Sequence, residues 1–148
     1  MSKRTGELRT YRYDEIMEGM TEQLDYVISD DVYLGFLSIF GDHNPIHVDE
    51  SYALASGYPG KVMHGSILTG FLSHFIGMYF PGRLSLLLAV DIRFAKPSYL
   101  GDRITLEAIV RQKMDARRVL ILDATFTNKT RHYQVARART QVMLRENT

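Results

Sequence analysis

Residues 62–80 read VMHGSILTGFLSHFIGMYF, a run without one charged side chain. Such a run is long enough to cross a bilayer. Its composition argues against that: His64, Ser66, Thr69, Ser73, His74 and three glycines interrupt it. A helix that is apolar on nearly every side lies either in lipid or inside a protein. The residues that follow decide between the two, because they read as a sheet able to cover the helix. The run is therefore expected to be a buried helix from about Gly65 to Tyr79, ended by Pro81-Gly82. No membrane span is expected.

The second half of the chain changes period. In 86–95, Leu88, Val90, Ile92 and Phe94 alternate with polar positions that include Asp91 and Arg93. In 102–111, Ile104, Leu106, Ala108 and Val110 alternate with Arg103, Thr105, Glu107 and Ile109. Residues 118–127 and 133–144 read as two more long strands, with turn formers between all four. The expectation is a meander of antiparallel strands, one face apolar, curled around one helix, in the α+β class.

Ahead of the helix, 22–29 (EQLDYVIS) alternates Leu24, Tyr26 and Ile28 as a first strand. Ser29-Asp30-Asp31 offers caps for an amphipathic helix through about Phe40. Asp49-Glu50-Ser51 opens a short helix that ends near Gly57 and Pro59. The 148 residues suit a single domain over 1–148, with 1–8 frayed. Net charge is +1, which points to no nucleic-acid partner. The absence of cysteine removes disulfides and thiolate chemistry and fits a cytoplasmic setting.

The chemistry concentrates in FGDHNPIHVD, residues 40–49. His43 and His47 stand four apart, the spacing of two ligands on one helix face. Pro45 lies between them and disrupts such a helix, and no HExxH pattern accompanies the pair, so no metal is expected. Taken alone, Gly41-Asp42 and Asn44-Pro45 are equally the formers of a plain turn. A rigid loop between two packed helices also holds a carboxylate and an imidazole toward one point. Proton transfer involving water needs that combination, since histidine titrates near neutrality.

The run Gly41 to Asp49, followed by KVMHGSIL at 61–68, resembles the MaoC-like dehydratases, the hotdog-fold (R)-specific enoyl-thioester hydratases. The similarity covers about residues 10–144. It implies a single hotdog domain and reversible syn hydration of trans-2-enoyl thioesters to (R)-3-hydroxyacyl thioesters. The substrates it implies are carried on coenzyme A or acyl carrier protein, with no cofactor. By resemblance Asp42 and His47 are the catalytic acid and histidine, Asn44 braces their loop, and the Gly65 amide receives the thioester carbonyl. His64 and Ser66 are candidates for lining the substrate site. The resemblance also implies a homodimer or larger homo-oligomer.

Two other readings stay open: a hotdog acyl-thioester hydrolase, and a non-catalytic acyl-thioester-binding subunit. Hydrolases of this fold usually place a carboxylate on the central helix, and 65–79 contains none. His74 reads as a core or interface histidine and His132 as a solvated turn residue.

Overall fold

The computed structural model describes residues 6–146. Strand β1 spans Thr21–Val27, helix α1 Asp30–Phe40, α2 Pro45–Val48, α3 Glu50–Ala55 and α4 Ser66–His74. Strands β2 (Ser85–Phe94), β3 (Arg103–Met114), β4 (Val119–Asn128) and β5 (Tyr133–Leu144) follow. No helix among the described residues is long and apolar enough to cross a membrane.

Helix α1 starts and stops where local chemistry requires. The Ser29 hydroxyl accepts from the Val32 N–H at 3.3 Å, and Asp30 and Asp31 occupy the positive first turn. Gly41, at φ 65°, ends the helix in the left-handed conformation. The Asp49 carboxylate caps α3 through the Tyr52 N–H.

The apolar faces meet as the alternation predicts. Ile104, Leu106, Ala108 and Val110 of β3, and Leu120, Leu122, Ala124 and Phe126 of β4, are all buried. They form one cluster with Ile67, Leu68, Phe71, Leu72, Phe75 and Ile76 of the central helix and its extension. Each of the Val, Ile, Leu and Phe side chains among them contributes about 1.5–3 kcal/mol on removal from water.

The sheet differs from a simple meander. Its order is β1-β3-β4-β5-β2, so β2 lies at the far edge against β5 and does not touch β3. The ladder of β2 with β5 places it there, and the loop that crosses from β2 to β3 is secured by a buried carboxylate. Asp102 accepts from the Tyr99 N–H at 2.9 Å, the Asn128 amide at 2.6 Å and the Arg131 guanidinium at 2.9 Å.

Three local expectations also change. A bulge between Leu87 and Ala89 resets the period of β2, so Leu88 leaves the face of Val90 and Ile92 and is 49% exposed. The central helix gives way at Phe75 to a π-helical turn over Phe75–Tyr79. It is also not covered all round: Ser66, Gly70 and Ser73, at helical spacing, form an exposed stripe opposite the sheet.

Residues 1–5 of the segment expected to fray lie outside the described residues. From Arg9 the chain is tied down, with the Arg9 N–H donating to the Met78 carbonyl and the Arg9 carbonyl accepting from the Arg83 N–H.

Candidate active site

Pro45, expected to keep residues 43–47 out of a helix, occupies the first position of a one-turn helix. Its missing N–H costs nothing there. His43 stays outside that turn, so the two histidines do not share a face. The Asn44 side chain accepts from the Ile46 N–H at 3.1 Å, and the Asp42 carboxylate accepts from the Asn44 N–H at 3.2 Å. The turn reading and the loop-bracing reading of Asn44 thus describe one hydrogen bond.

Two further contacts lock the loop to its neighbours. The Tyr33 hydroxyl, reaching from α1, donates to the His47 carbonyl at 2.7 Å. The Val62 N–H donates to the Ile46 carbonyl at 3.0 Å.

The His47 ring is oriented by the same segment. Its Nδ1 lies 2.7 Å from the Val62 carbonyl, which only accepts, so Nδ1 carries the proton in the neutral ring. The Nε2 lone pair then faces Asp42, with Nε2 and Oδ2 3.8 Å apart. That separation is too long for a direct hydrogen bond. It leaves two acceptors converging on a space where a donor such as water can sit.

His64, expected to line the pocket, is 4% exposed. Its Nε2 lies 2.9 Å from the Asp42 main-chain carbonyl, and its ring centroid is 4.0 Å from that of His47. Phe36 packs on the His64 ring at 4.7 Å.

Gly65 stands immediately before α4, where N–H groups are left without helical partners and the dipole is positive. A Cβ at Gly65 would meet the Phe94 ring at 3.2 Å. Two cavities flank the cluster. One, of about 810 Å³, runs between α1 and α4 and includes Asp42 and Ser66. The other, of about 440 Å³, is lined by His47, His64, Gly65, Phe94 and Lys96.

Asp42, His47, His64, Gly65 and Ser66 are therefore gathered around one region, with Asn44 behind it. His74 lies elsewhere, 2.9 Å from the Tyr26 hydroxyl, and His132 is exposed in the β4–β5 turn. Tyr33 was not identified from the sequence. Its one signal was a hydroxyl within an otherwise apolar helix face.

Asp42, His47 and His64 bring potential ligand atoms within 4.8 Å of one another. The donor set does not suit a cation as arranged. His64 Nε2 must carry a proton to bond the Asp42 carbonyl, so only His47 and the carboxylate present lone pairs to the common space.

The MaoC like domain family matches residues 14–132.

The chain belongs to the MaoC-like family.

A 3-hydroxybutyryl-CoA dehydratase of Methylorubrum extorquens is 30% identical over 112 residues, covering 76% of this chain and 71% of that protein. An (R)-specific enoyl-CoA hydratase of Rhodospirillum rubrum is 29% identical over 122 residues, covering 82% and 84%. The R-hydratase PhaJ1 of Pseudomonas aeruginosa in its unliganded form superposes with a TM-score of 0.86 at 24% identity, over 95% of this chain and 89% of that one. The MaoC-like chain thus has the hotdog fold, an antiparallel sheet packed on a central helix.

Proposed function

We propose that this chain is a hydro-lyase that reversibly adds water to trans-2-enoyl thioesters, giving (R)-3-hydroxyacyl thioesters carried on coenzyme A or acyl carrier protein. The observation that carries the reading is the His47–Asp42 gap. Two proton acceptors converge at 3.8 Å beside a helix N-terminus, and both are held by main-chain contacts. The names of the two sequence relatives support the same chemistry.

In the hydration direction, water sits between Asp42 Oδ2 and His47 Nε2. Its oxygen attacks C3 as His47 takes one of its protons. The electron pair of the C2–C3 double bond moves onto the thioester carbonyl oxygen, where the Gly65 N–H stabilises the developing charge. The enolate then collapses by taking that proton from His47 at C2, which returns His47 to its neutral form. Asp42 and His47 belong to one short loop, so both additions occur on one face. The chemistry needs water and these side chains, with no cofactor. Helix α4 has no carboxylate to serve the hydrolase alternative.

The reading includes a homodimer and a cytoplasmic location. Strand β2 is a sheet edge that exposes Leu86, Leu88 and Phe94, and pairing with a second copy covers such an edge. The test of function is hydration of crotonyl and longer enoyl thioesters on both carriers, followed as loss of the conjugated absorbance. Release of free thiol with the enoyl group intact favours the hydrolase instead.

A further inference from the structure

His64 is bound on one nitrogen and sealed on the other. Nε2 faces the Asp42 main-chain carbonyl at 2.9 Å, an acceptor only, so the neutral ring carries its proton there. Nδ1 is buried and meets no hydrogen-bonding group among the described residues. A substrate atom reaching the catalytic gap therefore finds neither nitrogen of His64 available.

The ring nevertheless touches both members of the catalytic pair. It packs on the His47 ring at 4.0 Å between centroids, tilted by 33°, and bonds the main chain of Asp42, whose carboxylate lies 4.0 Å from Nε2. Tyr33 and Phe36 of α1 close around its other side, at 6.1 Å and 4.7 Å between centroids.

We propose that His64 is a positioning residue: its Nε2–H sets the main chain of Asp42 and its ring face sets the plane of His47, without touching substrate. This rests on the hydratase reading for the roles of Asp42 and His47. It gives the His-Gly step before the central helix two separate jobs, His64 holding the catalytic loop and Gly65 offering its amide.

The protein's geometry separates positioning from catalysis through the length of the replacement. A glutamine amide reaches about where Nε2 stands and preserves the donor; asparagine stops near the Nδ1 position, and leucine keeps volume alone. A misplacement of about 1 Å at a reacting group costs about 10²-fold in rate. His64→Leu and His64→Asn are expected to lose about that much kcat with KM within about threefold of the parent. His64→Gln is expected to recover at least about tenfold of the loss, with the parent's pH–rate profile.

A long-range proton–nitrogen NMR correlation on the parent supplies a readout independent of activity. It is expected to show His47 as the Nδ1–H tautomer and His64 as the Nε2–H tautomer. If leucine is too unstable to assay, the asparagine and glutamine pair carries the test.

Glutamine as inactive as asparagine would overturn the proposal, since the imidazole itself would then be needed. Full activity in the asparagine variant, or an Nδ1–H tautomer at His64, would overturn it too. A parent inactive on every enoyl thioester contradicts the hydratase reading, while the tautomer measurement still decides the placement of His64.

Discussion

The His47 and His64 rings pack at 4.0 Å between centroids, tilted by 33°, and turn different nitrogens to main-chain carbonyls. His47 gives its Nδ1 proton to the Val62 carbonyl and turns a lone pair toward Asp42. His64 gives its Nε2 proton to the Asp42 carbonyl and buries its lone pair. Under the proposed function, the two histidines divide into a base that faces the gap and a brace that stands behind it. The main-chain partner of each ring makes the difference.

That division predicts the outcome of removing the facing pair. Asp42→Asn and His47→Ala should each lower kcat/KM on the best enoyl thioester by about 10²–10⁴-fold. Asp42 is exposed and His47 half-buried, so neither change opens a large core cavity and the melting temperature should move little. Steady-state kinetics with a thermal scan checks this, and a variant retaining more than about a tenth of activity removes that residue from the mechanism.

Gly65 is constrained by its neighbour across the site. A methyl there would press on the Phe94 ring at 3.2 Å, so the ring or the helix start must shift by a few tenths of an ångström. Gly65→Ala is expected to reduce kcat about tenfold, less than the loss of an oxyanion donor outright. Adding Phe94→Leu should restore part of it. A double variant no better than the single one would show that the ring is not the obstacle.

Asp102 holds the loop that leads from β2 into β3. Its 1% exposed carboxylate satisfies Tyr99, Asn128 and Arg131 together. Asp102→Ala leaves those donors without their acceptor and should cost about 3 kcal/mol in unfolding free energy. Urea denaturation measures it, and a loss below about 0.5 kcal/mol, the size of an ordinary surface change, contradicts the role given to the network.

The outer face of the sheet predicts a pH dependence. The Arg139 guanidinium, and after it that of Arg111, hold the Asp123 carboxyl below its ordinary value. A depressed folded value means stability that is complete above the unfolded carboxyl's pKa of about 3.9 and is lost as pH falls through the lower folded value. The stability gap between the parent and Asp123→Asn should therefore be constant near neutrality and close in acid. Denaturation at a series of pH values checks the sign, and a gap that widens in acid would contradict it.

The legible parts of the fold were those written in short-range chemistry. Ser29 announced α1 and Asp49 announced α3, since caps act within three residues. The alternation in β3 placed its core face correctly, because the period of a strand is local. Asp42 and His47 were legible as a pair through their spacing about Asn44-Pro45.

What escaped depends on long-range contacts. The place of β2 at the sheet edge rests on its pairing with β5, from Ser85 with Leu144 to Phe94 with Ala136. The bond between His64 and the Asp42 carbonyl spans 22 residues, so only the folded chain shows which nitrogen is engaged. The open stripe of Ser66, Gly70 and Ser73 was hidden because a run without charges reads as buried on every side.

The stereochemistry of addition reads the geometry of this site. Asp42 and His47 face one gap from one loop, and in the proposed mechanism the Gly65 amide holds the carbonyl beside it. Hydration of a trans-2-enoyl thioester in deuterated water, with chiral analysis at C3 and the relative configuration of deuterium at C2, reads both constraints at once. The expected product is the (R)-3-hydroxyacyl thioester with hydroxyl and deuterium added to the same face. An (S) product, or addition from opposite faces, would contradict it.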